Sequence, residues 1–187
     1  MERYPENFRQ FTPDEIGGVK KSEKEHLVNA YDNSILYTDH FLSKTIEALK
    51  QTNEEVAMLY TSDHGEDLFD DDRNRFLHAS PSPTYYQLRI PFLMWFSDEY
   101  ITHNEKRITA VQENKNKPIS TNAVFHTMIN AAHIRTSYLE KDLSLVNRAF
   151  NVEARMYLND HDIAVPYTKM NLKKEDFEML KKNNIKE

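Results

Sequence analysis

The 187-residue sequence has no cysteine, three glycines and one tryptophan, and basic side chains are the minority, 24 against 30 acidic ones, for a net charge of −6. Without cysteine there is no disulfide, no thiolate ligand for zinc and no thiol nucleophile. The glycines are Gly17, Gly18 and Gly65, so neither a G-x-G-x-x-G loop nor a Walker loop can be written. Net acidity argues against sequence-independent binding of nucleic acid, which needs a cationic surface to release counterions. The longest near-pure apolar run, Ile90–Phe96, is far too short to cross a bilayer, and the opening residues are not of signal type. What is present is 39% apolar and 11% aromatic residues, which excludes a disordered acidic tail despite a mean hydropathy of −0.75. The length is that of one ordinary domain with a buried core. Its polar chemistry must come from Asp, Glu, His, Ser, Thr and Tyr.

Residues 1–24 read as irregular, because Pro5 and Pro13 interrupt regular structure and Gly17-Gly18 marks a turn. So abrupt an opening leads us to expect a piece of a longer protein. Ser22 to Glu25 fits a capping box, and Leu27, Tyr31, Ile35, Thr38, Leu42, Ile46 and Leu49 then trace one stripe of a helix over about 25–50. The run Val56–Thr61 reads as a strand buried on both faces. Helix, strand and polar turn together suggest half of a β-α-β unit, hence a parallel sheet flanked by helices. Residues 67–87 read as a long polar loop containing Asp70-Asp71-Asp72, His78 and Ser80-Pro81-Ser82-Pro83. A second strand is expected at Leu88–Phe96, with Pro91 placing it near an edge or making its start irregular. A short surface helix is expected within 98–118, and a further helix, capped by Ser120 or Thr121, bears Ala123, Val124, Thr127, Met128 and Ala131. A late strand at Ala154–Leu158 and an amphipathic helix at Asn171–Lys182 complete the chain, the stretch 170–187 being terminal helix or tail.

The informative segment is Asp63-His64-Gly65-Glu66, directly after the first strand. In an open α/β sheet, ligands sit beyond the carboxyl ends of strands. Neighbouring side chains of a strand face opposite ways, so Asp63 and His64 can share one ion only where the strand breaks, and Gly65 permits that break through its backbone freedom. An Asp oxygen beside a His nitrogen is half of a Zn²⁺ or Mn²⁺ site, able to polarise a phosphoryl oxygen or acidify a hydroxyl. The competing reading has Asp63 capping a following helix and His64 bonding a carbonyl. His78 either reaches the same pocket, touching an anionic substrate group or a second metal, or is a solvated loop residue. Asp70–Asp72 lacks the glycine and the closing glutamate of a calcium loop and reads as a solvated acidic loop. Asp32, Asn33 and Asp39 lie off the apolar stripe, where hydrogen bonding to nearby loops is expected. His126 and His133 read as structural, Tyr85, Tyr86 and Trp95 as packing residues. Thr61 and Ser62 have no general base at useful spacing and do not read as nucleophiles.

Taken in order, these motifs resemble a known family. The series Tyr31-Asp32-Asn33-Ser34-Ile35-Leu36-Tyr37-Thr38-Asp39, then Tyr60-Thr61-Ser62-Asp63-His64-Gly65-Glu66, Leu77-His78 and Pro91-Phe92-Leu93-Met94-Trp95-Phe96-Ser97 is similar to the sulfatase-type catalytic domain of phosphoethanolamine transferases. These enzymes belong to the alkaline phosphatase superfamily and include those that modify lipid A. The likeness is close over 1–100 and continues, more loosely, through Ser120–Met128 to about residue 165. It implies a three-layer α/β/α sandwich, alkaline-phosphatase-like and incomplete, of which residues 1–187 form the C-terminal portion without the N-terminal strands. It also implies a metal, Zn²⁺ with Mn²⁺ or Ca²⁺ as alternatives, held by Asp63 and His64 with an upstream Glu and a nucleophilic Thr. His78 matches a family histidine near the substrate phosphate or a second metal, and Glu66 is assigned a supporting place behind the ligands. The Thr would take phosphoethanolamine from a phospholipid donor and, through a covalent intermediate, pass it to lipid A or another glycan acceptor.

On that likeness the parent protein would be an inner-membrane enzyme with its catalytic domain in the periplasm, anchored through a segment upstream of this chain. The chain alone would be inactive, and its open sheet edges would favour self-association. His78 is followed by Ala79 where the family often has glycine. The rival readings are a sulfatase or phosphatase/phosphodiesterase of the same superfamily, or a degenerate interaction domain without metal.

Overall fold

A computed structural model describes residues 4–11, 18–78, 83–151, 156–158, 163–166 and 172–183. The expectations for Pro13, Gly17, Ala79, the Ser80-Pro81-Ser82 stretch, the start of the late strand at Ala154 and the helix start at Asn171 lie outside them.

The long helix forms as its stripe requires: α1 spans Lys24–Lys50. Leu27 is buried, whereas Ile35 of the stripe is exposed. The expected capping box is absent. Lys21–Glu23 form a 3-10 turn, which moves the helix start one residue on. Glu23 then occupies the cap position without a side-chain bond to the helix main chain and pairs instead with the His26 ring at 3.0 Å. Asn33 is almost wholly buried, and its amide accepts from the Phe11 N–H and donates to the Phe11 carbonyl at 3.1 and 2.7 Å. That is the loop contact expected for a polar residue off the stripe.

The strands are β1 (Ala57–Thr61), β2 (Asp67–Leu68), β3 (Phe76–Leu77) and β4 (Phe92–Phe96), followed late in the chain by β5 (Met156–Leu158) and β6 (Ala164–Pro166). The sheet expectation is corrected here. Strands β1 and β4 pair antiparallel, from Ala57 opposite Phe96 to Thr61 opposite Phe92, and the β2–β3 and β5–β6 pairs are antiparallel too. A parallel return needs a crossover element spanning the sheet. Between β1 and β4 the described residues instead make the β2–β3 hairpin and a four-residue helix, α2 (Tyr85–Leu88). Leu88, expected in the strand, therefore closes a helix, and Pro91 stands just before β4, where its missing N–H costs no ladder bond. The first strand is half-buried along its whole length rather than buried on both faces.

Alternation along the pair assigns each face. Phe92, Met94 and Phe96, with Ala57, pack against Tyr100, Ala123, Ala131, Leu145, Val146 and Phe150. These core residues come from α3 (Asp98–His103), α5 (Asn122–Ala131) and the segment after it, with Ile108 and Val111 added by α4 (Glu105–Asn114). The single surface helix expected within 98–118 is thus two helices. Tyr60, of opposite parity, lies near enough to Tyr31 of α1 to act on it: burial raises the Tyr31 hydroxyl pKa first, with the charges of Glu66 and Tyr60 adding to the shift. His126, on α5, and His133, just past its end, both make contacts within the fold. His126 Nδ1 accepts from the Glu140 N–H, and His133 Nε2 meets the Asn104 amide at 2.8 Å. The last helix, α6 (Lys174–Lys182), buries Leu180 and leaves Phe177 exposed.

Candidate metal and phosphoryl site

The chain leaves β1 at Thr61, whose hydroxyl donates to the Pro91 carbonyl at 2.9 Å. The next hydroxyl, Ser62, donates to the His64 carbonyl at 2.8 Å. Both are spent on the backbone, consistent with their not reading as nucleophiles. The bend they hold presents Asp63 and His64 side by side, with Asp63 Oδ2 3.7 Å from His64 Nε2. Asp63 Oδ1 accepts from the His64 N–H at 3.1 Å. Main-chain N–H groups, then the His64 ring, hold the Asp63 carboxyl below its usual pKa, so it stays ionised in the open, its side chain 87% exposed.

Gly65 allows this bend for a different reason from the one expected. Its backbone is not in the left-handed region; the requirement is space. A Cβ at this position would stand 2.0 Å from the Tyr86 carbonyl oxygen, and the Gly65 N–H donates to the Gln87 carbonyl at 2.7 Å. Helix α2 is thus seated directly on the bend.

His64 Nδ1 lies 3.0 Å from the Gly65 carbonyl. A carbonyl only accepts, so the proton belongs on Nδ1 and the Nε2 lone pair is left facing Asp63. The carbonyl contact of the blander reading is therefore real, and it is also how a metal-binding imidazole is commonly oriented. His78 follows β3 and packs against His64, with ring centroids 3.8 Å apart and the planes tilted by 34°. Its Nδ1 meets both Glu66 carboxylate oxygens, at 3.0 and 3.1 Å, and Glu66 also stands 3.8 Å from His64 Nδ1. Donor atoms of His64, Glu66 and His78 can all lie within 4.8 Å of one another. The bend and the loop read separately in the sequence thus form one cluster, with the Glu66 carboxylate beside Nδ1 of both imidazoles.

The donor set suits zinc. Bonds of about 2.0–2.1 Å in a tetrahedron put neighbouring donors roughly 3.4 Å apart, close to the 3.7 Å between Asp63 Oδ2 and His64 Nε2. Two such donors make half of a site.

The loop carrying His78 is more ordered than its polarity suggested. Leu68 N–H donates to Asp70, but Asp71 is not the solvated acid expected: it pairs with Arg73, which lowers its pKa. Arg73 reaches Asp176 of α6 in two parallel bonds of 2.8 Å. Asp67 is buried, accepting from Thr84 Oγ1 at 2.9 Å and from the Gln87 amide. Burial raises its pKa against those bonds. Arg73, Thr84, Gln87 and Asp176 were not visible as site residues in the sequence. None belongs to a motif, and Asp176 reads as one more charge on an amphipathic helix.

Comparison with known proteins places this geometry. The sulfatase family matches residues 1–134. Phosphoethanolamine transferase EptA of Escherichia coli (strain K12) is 31% identical over 145 residues, covering 74% of this chain and 26% of that protein. Kdo(2)-lipid A phosphoethanolamine 7''-transferase of the same strain is 34% identical over 102 residues, covering 54% and 17%. The crystal structure of the C-terminal periplasmic domain of EptC from Escherichia coli superposes with a TM-score of 0.73 at 27% identity, covering 90% of this chain and 48% of that one. The same domain in complex with Zn gives 0.64 at 26%, with the same coverage. The chain spans about a quarter or less of the curated relatives it matches and about half of the solved domain.

Proposed function

The chain belongs to the sulfatase family, and on that premise we propose that it is the C-terminal part of the catalytic domain of a metal-dependent phosphoethanolamine transferase. In that reading the mixed α/β domain is part of a three-layer, alkaline-phosphatase-like sandwich. Asp63 and His64 are metal ligands, zinc being the preferred ion, and the remaining ligands and the threonine nucleophile come from outside residues 1–187. The metal, when bound, supplies positive charge to acidify the attacking hydroxyl and draw electrons from the phosphoryl group. This chain's own residues hold the geometry. Asp63 presents an ionised oxygen, the Gly65 carbonyl orients His64, and Glu66 fixes the His78 ring so that its Nε2 points away to meet a phosphate oxygen or a second metal.

The donor is a phospholipid carrying phosphoethanolamine and the acceptor lipid A or a related glycan; the group transferred and the lipid A acceptor follow relatives whose names state them. Among the described residues no helix is long and apolar enough to cross a membrane; the proposed inner-membrane anchorage is by analogy with the integral membrane phosphoethanolamine transferase A of Neisseria meningitidis. The periplasmic setting of the catalytic domain is that of the solved relative.

The observation that carries the reading is the Asp63–His64 pair at the end of β1 with the His78 ring packed against His64. The test uses the full-length protein. We expect about one zinc or more per molecule, lost in Asp63→Ala and in His64→Ala, and transfer of phosphoethanolamine from phosphatidylethanolamine vesicles to lipid A. Full-length protein without metal refutes the reading in favour of an interaction domain. Turnover of aryl sulfates or phosphodiesters without transfer favours the hydrolase branch.

A further inference from the structure

We propose that Asp176, on the C-terminal helix α6, is a positioning residue for the His64–His78 pair, acting through Arg73 and the short helix α2. The proposal rests on the reading of that pair as the metal and phosphoryl site.

The hairpin that delivers His78 cannot hold itself. Strands β2 and β3 share only two residue pairs, Asp67 with Leu77 and Leu68 with Phe76, and so short a ribbon is marginal in water. Three of its non-glycine residues are left-handed: Phe69 at φ 57°, Asn74 at 54° and Leu77, the neighbour of His78, at 64°. Such backbone persists where surrounding structure over-determines it.

That surrounding structure converges on one carboxylate. Asp176 is 1% exposed. Its Oδ1 accepts from Arg73 Nη2 and from the Tyr85 main-chain N–H, both at 2.8 Å, and its Oδ2 from Arg73 Nη1 at 2.8 Å and the Lys173 N–H at 2.9 Å. One side chain 103 positions away thus fixes both the hairpin tip, through Arg73, and the start of α2, through Tyr85. Helix α2 transmits the constraint through Gln87. The Gln87 carbonyl accepts from Gly65, the neighbour of His64, and its amide reaches the Leu77 carbonyl, the neighbour of His78, at 3.4 Å. The same amide, with Thr84, holds Asp67 at the hairpin base. Asp71 also pairs with Arg73, so the guanidinium keeps a counter-charge when Asp176 is changed. The ionised form of Asp176 is favoured despite its burial, because the Arg73 fork and two main-chain N–H groups outweigh the loss of water.

The experiment compares wild type, Asp176→Asn and Asp176→Glu in the full-length protein by hydrogen exchange and by zinc titration against a chromophoric chelator. Asparagine keeps the shape but must turn an N–H₂ toward donors, whereas glutamate keeps the charge. In Asp176→Asn we expect amides across 65–78 to exchange about tenfold faster, those of α4 and α5 to be unchanged, and zinc affinity to fall tenfold or more, the range for residues that orient ligands. Asp176→Glu restores at least half of the lost zinc affinity on a logarithmic scale. Unchanged exchange across 65–78, an equal acceleration throughout the chain, or a loosened hairpin with undiminished zinc affinity each overturns the proposal. Wild-type protein that binds no zinc overturns the functional reading instead, and the exchange comparison alone then decides the role of Asp176.

Discussion

Two regions hang from the β1–β4 pair and are held by a different balance of forces. Behind it, α3, α4 and α5 close over Phe92, Met94 and Phe96 with Tyr100, Ala123, Ala131, Leu145, Val146 and Phe150, an apolar core. Asn114 and Thr127 are buried at the edge of this core on main-chain partners, with no buried ion pair among its described residues. Ahead of the strand pair, residues 63–78 and 84–88 are knit together by the buried polar groups Asp67, Thr84 and Gln87 and tied to α6 through Asp176, which takes Arg73 and the Tyr85 N–H. Apolar burial is non-directional and fixes where elements sit. Hydrogen bonds and forked ion pairs are directional and fix how side chains are aimed. A metal site needs its donors held within about half an ångström, so the orienting interactions are found where the imidazoles must be aimed.

The comparison breaks first at Gly65. Its alanine variant drives a Cβ into the Tyr86 carbonyl, a backbone atom that cannot swing aside. We expect Gly65→Ala to cost about 3 kcal/mol, the upper end of ordinary overpacking. It should also abolish zinc retention by the folded fraction, seen by chemical denaturation alongside metal analysis. Leu145→Ala, in the apolar half and 3% exposed, should cost about 2–3 kcal/mol by leaving a cavity. The molecules that remain folded should bind zinc with wild-type affinity. Equal damage to zinc binding from both variants would mean that the two halves are not separable.

The same division explains what could be read from the residues. Helix α1 was legible because its apolar positions repeat at helical spacing. The Asp63-His64-Gly65 bend was legible because an apolar run stops there against polar residues. Antiparallel pairing was not, since short apolar strands of either sense look alike and only the intervening path, a hairpin and four residues of helix, decides it. The role of Gly65 was half-read: the glycine mattered, but for the approach of Tyr86, which no local pattern announces. Glu66 was placed behind the ligands from resemblance, and the structure sets its carboxylate on His78. Arg73 and Asp176 are separated by 103 positions, and a buried ion pair across such a span leaves no periodic trace. In sequence each is a charge among charges.

Acid should separate the two halves next. The carboxyls of Asp71, beside Arg73, and of Asp176, buried but held by Arg73 and main-chain N–H groups, sit below their usual pKa. Their contribution is complete above an unfolded carboxyl pKa of about 3.9 and is lost as pH falls through the lower folded values. Below about pH 4, exchange across 65–78 should therefore accelerate before that of α4 and α5.

The smallest effect has the opposite sign. Burial raises the pKa of Asp67, so its contribution is complete below about 3.9 and fades as pH rises through the raised value. Stability should consequently climb slightly from pH 7 toward mild acid before Asp71 and Asp176 titrate. Asp67→Asn removes the titrating group while keeping an oxygen for the Gln87 amide and an N–H₂ that can donate to Thr84 Oγ1, which turns to accept. We expect its stability at pH 7 to stay within about 0.5 kcal/mol of wild type, with the mild-acid rise gone. A large loss at pH 7 would show that the hairpin base needs the charge of Asp67 and not only its hydrogen bonds, and the polar half would then depend on a third carboxylate beside Asp71 and Asp176.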